Sequence, residues 1–505
     1  MNILLINLTG DRDLPNSTPL GLCYLGACLE EAGYFVRIVN MNFCSQNDLI
    51  KIITENYFKL IGVSVCSPKS YECSELCKIL KYCSPKSKIA IGGPHASMAY
   101  ENILKTNYQI DYSMVGEGER VIVELANAIK NDVEVYNIPQ LAYRDSKNEV
   151  VINMDYITVD LNSLPLPARH LVESPKERAK RQNTDFILGE IITSRGCPGA
   201  CTFCSSSLNG SVRWRLRHID NIEREIDSLC KNEGITVLYF TDVDFLASKK
   251  HAFKIMQIIK KYDQIKYFEI STRVDSIYRM KDELDIIFES GCRHIEIGFE
   301  SNSQKTLDRY NKKTTTELNY LVIDILNNYR KKYNFIITFD LILYDPYTEF
   351  EELKMNREFL AKNISNSDNR IINSLFQNLN LFPGTPLYYS YLKEYNMSID
   401  NNIPYIPFKD KKVEYVYSAM FIYENYILPK VSAINKELTR ISQSDKKQLK
   451  NIKFIKDVII YKNHSWTFFS NIIDAFDKDI NFDITRLFED INKNIEDTII
   501  YYSIN

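Results

Sequence analysis

Several signals are missing from this chain of 505 residues. It has no block of lysine and arginine: 62 basic and 65 acidic residues are interspersed, for a formal net charge of −3. A nucleic-acid footprint is therefore not expected. The opening residues, MNILLINLTGDRD, lack the basic n-region and small-residue cleavage site of a secretory signal. No apolar run approaches the length that spans a bilayer, so no membrane span is expected. These absences point to a cytoplasmic protein. In that reducing compartment the twelve cysteines do not read as a disulfide framework. Most stand alone and read as small buried hydrophobes. Cys73 and Cys77, four apart in a predicted helix, read as a packing face.

What is present is a globular chain, 45% apolar and 25% charged, long enough for two or three cores. Residues 1–133 alternate apolar runs with helical patterns. ILLIN, FVRIVNMN, LIGVSVCS, KIAIGGPHAS and IDYSMVGEGER are the strand candidates, and Ser45 is placed to cap the second helix. The alternation predicts an α/β fold with a Rossmann-like (flavodoxin-like) doubly wound parallel sheet. Such sheets bind ligands beyond the carboxyl ends of their strands. Four turns fall there: TPLG with Pro19, Leu20 and Gly21; SVCS with Ser64; GGPH with Gly92, Gly93, Pro94 and His95; GEGE with Gly116, Glu117 and Gly118. Any one is explained by the needs of a tight turn. Four on one edge read as a ligand crevice.

Residues 134–185 read as a linker with a small hairpin around Asp145 to Asn148, a proline-broken LNSLPLPARHL and a charged, solvated ESPKERAKRQNTD. Residues 186–393 resume the alternation with six strand candidates, from FILGEIITS to SLFQNLNLF. That predicts a partial (β/α)6 barrel with its chemistry at the strand carboxyl ends. Residues 394–505 read as a helical region rich in Tyr, Phe and Ile. It either completes the barrel wall or lines an aromatic substrate cavity.

After the first barrel strand stands TSRGCPGACTFCSSS, with Cys197, Cys201 and Cys204 spaced C-x3-C-x2-C. A structural zinc wants four ligands and a catalytic zinc three with water. No second cysteine pair follows, His218 is isolated, and Cys230 lies in a predicted helix. An iron–sulfur cluster takes one thiolate per iron. Three thiolates on a four-iron cluster leave one iron open to a substrate or cofactor. Gly196, Pro198 and Gly199 let the backbone curl round a cluster edge and aim N–H groups at sulfur. An iron–sulfur site is the preferred reading, with zinc and plain packing as the alternatives.

The loop SRGCPGACTFCSSS resembles the signature loop of radical S-adenosylmethionine enzymes. The resemblance implies a [4Fe-4S] cluster on Cys197, Cys201 and Cys204, whose open iron chelates S-adenosylmethionine. Reductive cleavage then yields a 5′-deoxyadenosyl radical that abstracts hydrogen from substrate. Phe203 corresponds to the aromatic residue that packs near the adenine. FTDVDF ends the second barrel strand, where Asp242 and Asp244 are candidates for the methionine amine. STRVD carries Arg273 at the third strand, and IGFES places Glu300 and Ser301 at the fourth, toward ribose or carboxylate. NLFPGTPLY closes the sixth, with Pro383 and Gly384 toward the adenine pocket. The fifth strand, LILYDPYTEFEEL, departs from the family's GxPxE run.

PLGLCYLGACLEEAGY, IGGPHAS, VGEGE and LNSLPLPARHL together resemble the subclass with a cobalamin-binding domain, so the likeness spans about residues 1–390. Many cobalamin proteins ligate cobalt through the His of a D-x-H-x-x-G loop. The loop LTGDRDLPNSTPLG has no His, and His95 lies after the wrong strand; it reads as a loop hydrogen-bonder. The resemblance implies a methyltransferase acting on an unactivated carbon or phosphorus of a small-molecule or peptide substrate. Electrons would come from a donor such as a flavodoxin or ferredoxin. A non-methylating ring contraction or cyclisation is the second enzyme reading. A cobalamin- or S-adenosylmethionine-binding sensor is the reading from outside enzymology.

Overall fold

The computed structural model describes residues 1–8, 17–153, 157–207, 214–363, 374–397, 406–427 and 464–478. The N-terminal unit is built from β1 (Asn2–Asn7), α1 (Leu20–Glu31), β2 (Phe35–Asn40), α2 (Gln46–Glu55), β3 (Leu60–Ser64), α3 (Ser70–Cys83), β4 (Lys88–Gly92), α4 (Pro94–Thr106), β5 (Tyr112–Met114) and α5 (Gly118–Asn131). Its strands pair in parallel in the order β2-β1-β3-β4-β5, the flavodoxin-like arrangement. Helices cover both faces, which is why β1 and β3 are buried almost without interruption. Leu49, Ile53, Leu76, Leu80 and Ile103 fill one face from α2, α3 and α4; Leu22, Leu29, Val121 and Leu125 fill the other from α1 and α5. Cys73 and Cys77 lie in the first of these cores. Ser45 caps α2, accepting from the Asp48 N–H at 3.1 Å.

The hairpin expected inside the linker exists, as β6 (Leu141–Arg144) and β7 (Val150–Ile152), with Asn148 at φ 64° in its turn. It is not free-standing. β6 pairs antiparallel with β5, so the hairpin extends the first sheet to seven strands. The charged run is solvated at Lys176, Glu177, Lys180 and Arg181, as expected, but not at Arg178. Arg178, on the short helix Pro175–Arg181, is buried and pairs with Glu190 at 3.2 Å. Thr18 donates to the same carboxylate from its N–H at 2.8 Å and its hydroxyl at 2.5 Å. Nearby, the Ala168 N–H donates to the Cys23 carbonyl at 2.9 Å. The connector is thus a splint lying along α1 and tied to the next unit.

That unit holds a second parallel sheet: β8 (Leu188–Ile191), β11 (Val237–Phe240), β12 (Tyr267–Arg273), β13 (Cys292–Glu300) and β14 (Ile336–Leu341), neighbours in chain order. A two-residue ribbon, β9 (Ser194–Arg195) with β10 (Arg215–Leu216), stands just beyond β8. The sixth strand expected at SLFQNLNLF is reduced to one parallel bridge between Tyr344 and Asn378, flanked by the Leu379 N–H bonded to the Tyr344 carbonyl at 2.7 Å. Past Leu379 the chain turns at Phe382, so no longer ladder forms. The described C-terminal helices, Lys411–Ile422 and His464–Asp477, pack against Phe350–Asn363, with Val416, Met420, Phe469 and Ile472 joining the barrel's own core. Their aromatic residues fill that core: Tyr423 stacks on Phe468 and Phe376.

Candidate functional site

The carboxyl ends of both sheets open onto one cavity of about 510 Å³. On the first sheet, Leu20, Gly21, Ser64, Gly92, Gly93, Gly116, Glu117 and Gly118 line it, all from the turns singled out in the sequence. Below them it reaches Leu5, Gly62 and Met114. The glycines are there for space. A Cβ on Gly62 would stand 2.9 Å from Leu5 Cδ2, and one on Gly92 3.1 Å from Met114 Cε. Gly93 has φ 99°, and a Cβ there would meet the Val65 carbonyl at 2.8 Å.

Three expected residues lie elsewhere. Pro19 lines a neighbouring cavity of about 320 Å³ with Thr18 and Arg178. Pro94 begins α4, where its missing N–H costs nothing. His95 is buried, with Nδ1 3.0 Å from the Ser67 hydroxyl, and it borders a different hollow between α3 and α4. Burial pushes its pKa down to about 4, so it is a neutral hydrogen-bonder.

The barrel wall of the main cavity consists of Ile192, Ser194, Arg195, Gly196, Ser206, Thr241 and Val243. The cysteine loop leaves β9 through Gly196 at φ 81°. Each thiol sulfur accepts one hydrogen bond. Gly199 N–H donates to Cys197 Sγ at 3.3 Å, Ser206 N–H to Cys204 Sγ at 3.4 Å, and Arg273 to Cys201 Sγ at 3.4 Å. A side chain on Gly199 would strike the Arg273 guanidinium at 2.7 Å. Burial raises the Cys197 and Cys204 thiols, so burial alone favours their neutral forms. Phe203 packs its ring 5.0 Å from that of Tyr310, and the Thr202 N–H bonds the Tyr310 carbonyl at 2.9 Å.

Asp242 is fully engaged. It accepts from the Thr193 N–H at 2.9 Å, the Thr193 hydroxyl at 2.8 Å and the Ser194 hydroxyl at 2.5 Å. It therefore pins the strand that enters the cysteine loop. Asp244 accepts from Thr272 at 2.7 Å and Ser276 at 2.8 Å, tying the second strand end to the third. Burial raises both carboxyls, and the hydrogen bonds oppose that rise. Arg273 also reaches Asp275 at 2.9 Å and the Lys312 carbonyl at 2.7 Å. Glu300 sits at a bulge in β13 with φ 63°, a strained conformation for a non-glycine residue. Its carboxylate meets Lys312 Nζ at 2.7 Å. Ser301 is buried 3.3 Å from Asn356 and supports the turn instead of facing the cavity. Gly384, at φ 84°, packs against Met98 of α4, while Leu387 N–H bonds the Thr202 carbonyl at 3.0 Å. The segment after Pro383 thus touches both units.

Lys312, Tyr310 and Arg195 were not foreseen. Only Arg195 left a usable signal, being the residue before Gly196 in the cysteine stretch.

Comparison with known proteins agrees with this layout. Residues 191–360 match the model of the radical SAM superfamily, and residues 14–126 that of the B12 binding domain. The chain thus holds a radical SAM domain and a B12 binding domain. An uncharacterized methyltransferase of Pyrococcus horikoshii is 29% identical over 308 residues, covering 59% of this chain and 64% of that protein. Cytidylyl-2-hydroxyethylphosphonate methyltransferase of Streptomyces wedmorensis is 24% identical, covering 62% of this chain and 67% of its own. Anaerobic magnesium-protoporphyrin IX monomethyl ester cyclase of Rubrivivax gelatinosus is 26% identical, covering 62% and 57%. The chain thus spans between 57% and 67% of the length of these relatives. The apo form of the cobalamin-dependent S-adenosylmethionine radical enzyme OxsB superposes with a TM-score of 0.74 at 17% identity, over 99% of this chain and 80% of that one.

The two domains imply a [4Fe-4S] cluster, S-adenosylmethionine and cobalamin, and the residues present fit them. The three thiols are spread along a loop, each with its own N–H donor. Among the described residues, no three His, Cys, Asp or Glu side chains converge on a single ion. Three thiolates in one loop are the donor set that an iron–sulfur cluster takes. Gly62, Gly92 and Gly93 present backbone to the cavity at points where a Cβ would have no room. Among the described residues no helix is long and apolar enough to cross a membrane.

Proposed function

We propose that the chain methylates an unactivated carbon, or a phosphorus, of a small-molecule or peptide substrate held in the 510 Å³ cavity. The observation that carries this reading is the shared cavity itself. One wall is the glycine edge of the cobalamin-binding domain; the other is the root of the cysteine loop. When bound, the cofactors supply the electron, the 5′-deoxyadenosyl radical and the methyl carrier. The chain's own part is to hold and orient. Cys197, Cys201 and Cys204 anchor the cluster. Asp242 fixes the entry to their loop, and Arg273 braces Cys201. Val243, 44% exposed between two buried aspartates, offers the cavity an apolar surface. Phe203, within the loop, and Pro383 and Gly384, just before the Leu387 that bonds Thr202, are assigned to the adenine side. A flavodoxin- or ferredoxin-type donor in the cytoplasm would supply electrons.

The test needs no substrate. Protein reconstituted anaerobically with iron, sulfide and hydroxocobalamin is given S-adenosylmethionine and a chemical reductant. Methyl transfer predicts a burst of S-adenosylhomocysteine of about one equivalent per bound cobalamin. Formation of 5′-deoxyadenosine with no S-adenosylhomocysteine would contradict it and favour a non-methylating cyclisation, the activity named for the relative from Rubrivivax gelatinosus.

A further inference from the structure

The β9–β10 ribbon stands at both feet of the cysteine excursion, with Arg195 on its outgoing strand and Arg215 on its returning strand. Both arginines reach across to the GEGE turn of the first domain. Arg195 pairs with Glu117 at 3.1 Å and also with Glu119; Arg215 pairs with Glu117 at 2.5 Å. Glu117 also accepts from the Val159 N–H at 3.0 Å, which fixes its other oxygen. The Arg195 guanidinium lies 5.5 Å from the Tyr24 ring centre. These are not surface pairs: the Glu117 and Glu119 side chains are 9% and 7% exposed, and Arg195 is 18% exposed. Burial works against the charged Arg195, but Glu119 and Glu117 more than offset it and raise its pKa. A buried ion pair tolerates little displacement, because separating it leaves uncompensated charge.

The same turn, Gly116 to Gly118, floors the cobalamin side of the cavity, and Arg195 and Gly196 wall the cluster side. We infer that Glu117, gripped by Arg195 and Arg215, couples the two cofactor sites. Filling the cobalamin cradle sets the shape of the cysteine loop, and binding S-adenosylmethionine at the cluster tightens the cradle. Such coupling is reciprocal, since each ligand must change the other's affinity by the same factor. The three side chains are positioning residues. The inference rests on the proposed reading of the site as one holding both cofactors.

Arg215 does not line the cavity, so its replacement leaves the contact surface for cobalamin intact. The test uses the full chain with its oxidised cluster and no reductant. The dissociation constant of hydroxocobalamin is measured by visible absorbance with and without saturating S-adenosylmethionine. The expected ratio is about fivefold or more in the unaltered protein. It falls toward one in R215Q and R195Q at unchanged iron content, and is partly restored in R215K. A ratio that R215Q and R195Q leave unchanged overturns the clamp, as does a ratio of one in the unaltered protein when both ligands bind. If hydroxocobalamin does not bind at all, the proposed reading of the site fails with it.

Discussion

The two walls of the cavity are made of different materials. The cobalamin-side wall is glycine and apolar side chains, with Glu117 and Glu119 as its charged residues: Gly21, Gly62, Gly92, Gly93, Gly116 and Gly118 leave room beside Leu5, Leu22 and Met114. The cluster-side wall stands on buried ionised and hydrogen-bonded side chains. Asp242 holds Thr193 and Ser194, Arg273 holds Cys201, and Lys312 holds Glu300. The first wall gives shape to a large, preformed ligand. The second fixes the direction of donors toward sulfur, which requires partners from several strands. Behind the walls, buried ion pairs, Arg178 with Glu190 and Arg169 with Glu225, tie the connector to the second unit.

Breaking one wall should leave the other able to load its own cofactor. The largest expected effect is Cys201→Ala: iron loading and 5′-deoxyadenosine formation disappear, while hydroxocobalamin binding survives. Iron assay and visible absorbance on the same preparation check it. Gly92→Leu is the converse. The added side chain meets Met114 across the cradle, and cobalamin affinity should fall at least about tenfold, or about 1.4 kcal/mol, with iron content unchanged. Arg178→Ala strikes neither wall but the connector behind them. It strips the buried Glu190 of its guanidinium and should cost about 3–5 kcal/mol in a urea unfolding curve.

A further effect, confined to acid pH, lies behind the first wall. His95 is neutral in the folded state, with a pKa of about 4, against about 6.5 when unfolded. The unfolded chain therefore binds more protons between those values, and stability is lost as pH falls through that window. By pH 5 the loss attributable to His95 should be about 2 kcal/mol. His95→Asn should flatten that part of the pH profile; an unchanged profile would assign the acid sensitivity elsewhere.

The contrast between the walls also explains what could be read in advance. Glycine turns and the C-x3-C-x2-C spacing are local, so the crevice and the cluster loop were legible in the residues themselves. So was the βα alternation that builds both sheets. Arg178 was not, because a charged run looks solvated until Glu190 and Thr18 are seen to converge on it. Asp242 and Ser301 were placed on the right edge, but their side chains serve the loop and the turn. Their partners, Thr193 and Asn356, lie 49 and 55 residues away, beyond any sequence window. The sixth strand failed for a simpler reason: an apolar run says nothing about where the chain will turn, and this one turns after a single bridge.

The central claim is that one cavity brings the cobalamin edge and the cluster loop face to face. Electron paramagnetic resonance of protein carrying both cob(II)alamin and the reduced cluster tests it most directly. The account predicts spin–spin broadening of both signals, absent from Cys201→Ala. Two unperturbed spectra, each identical to that of its singly loaded form, would contradict it.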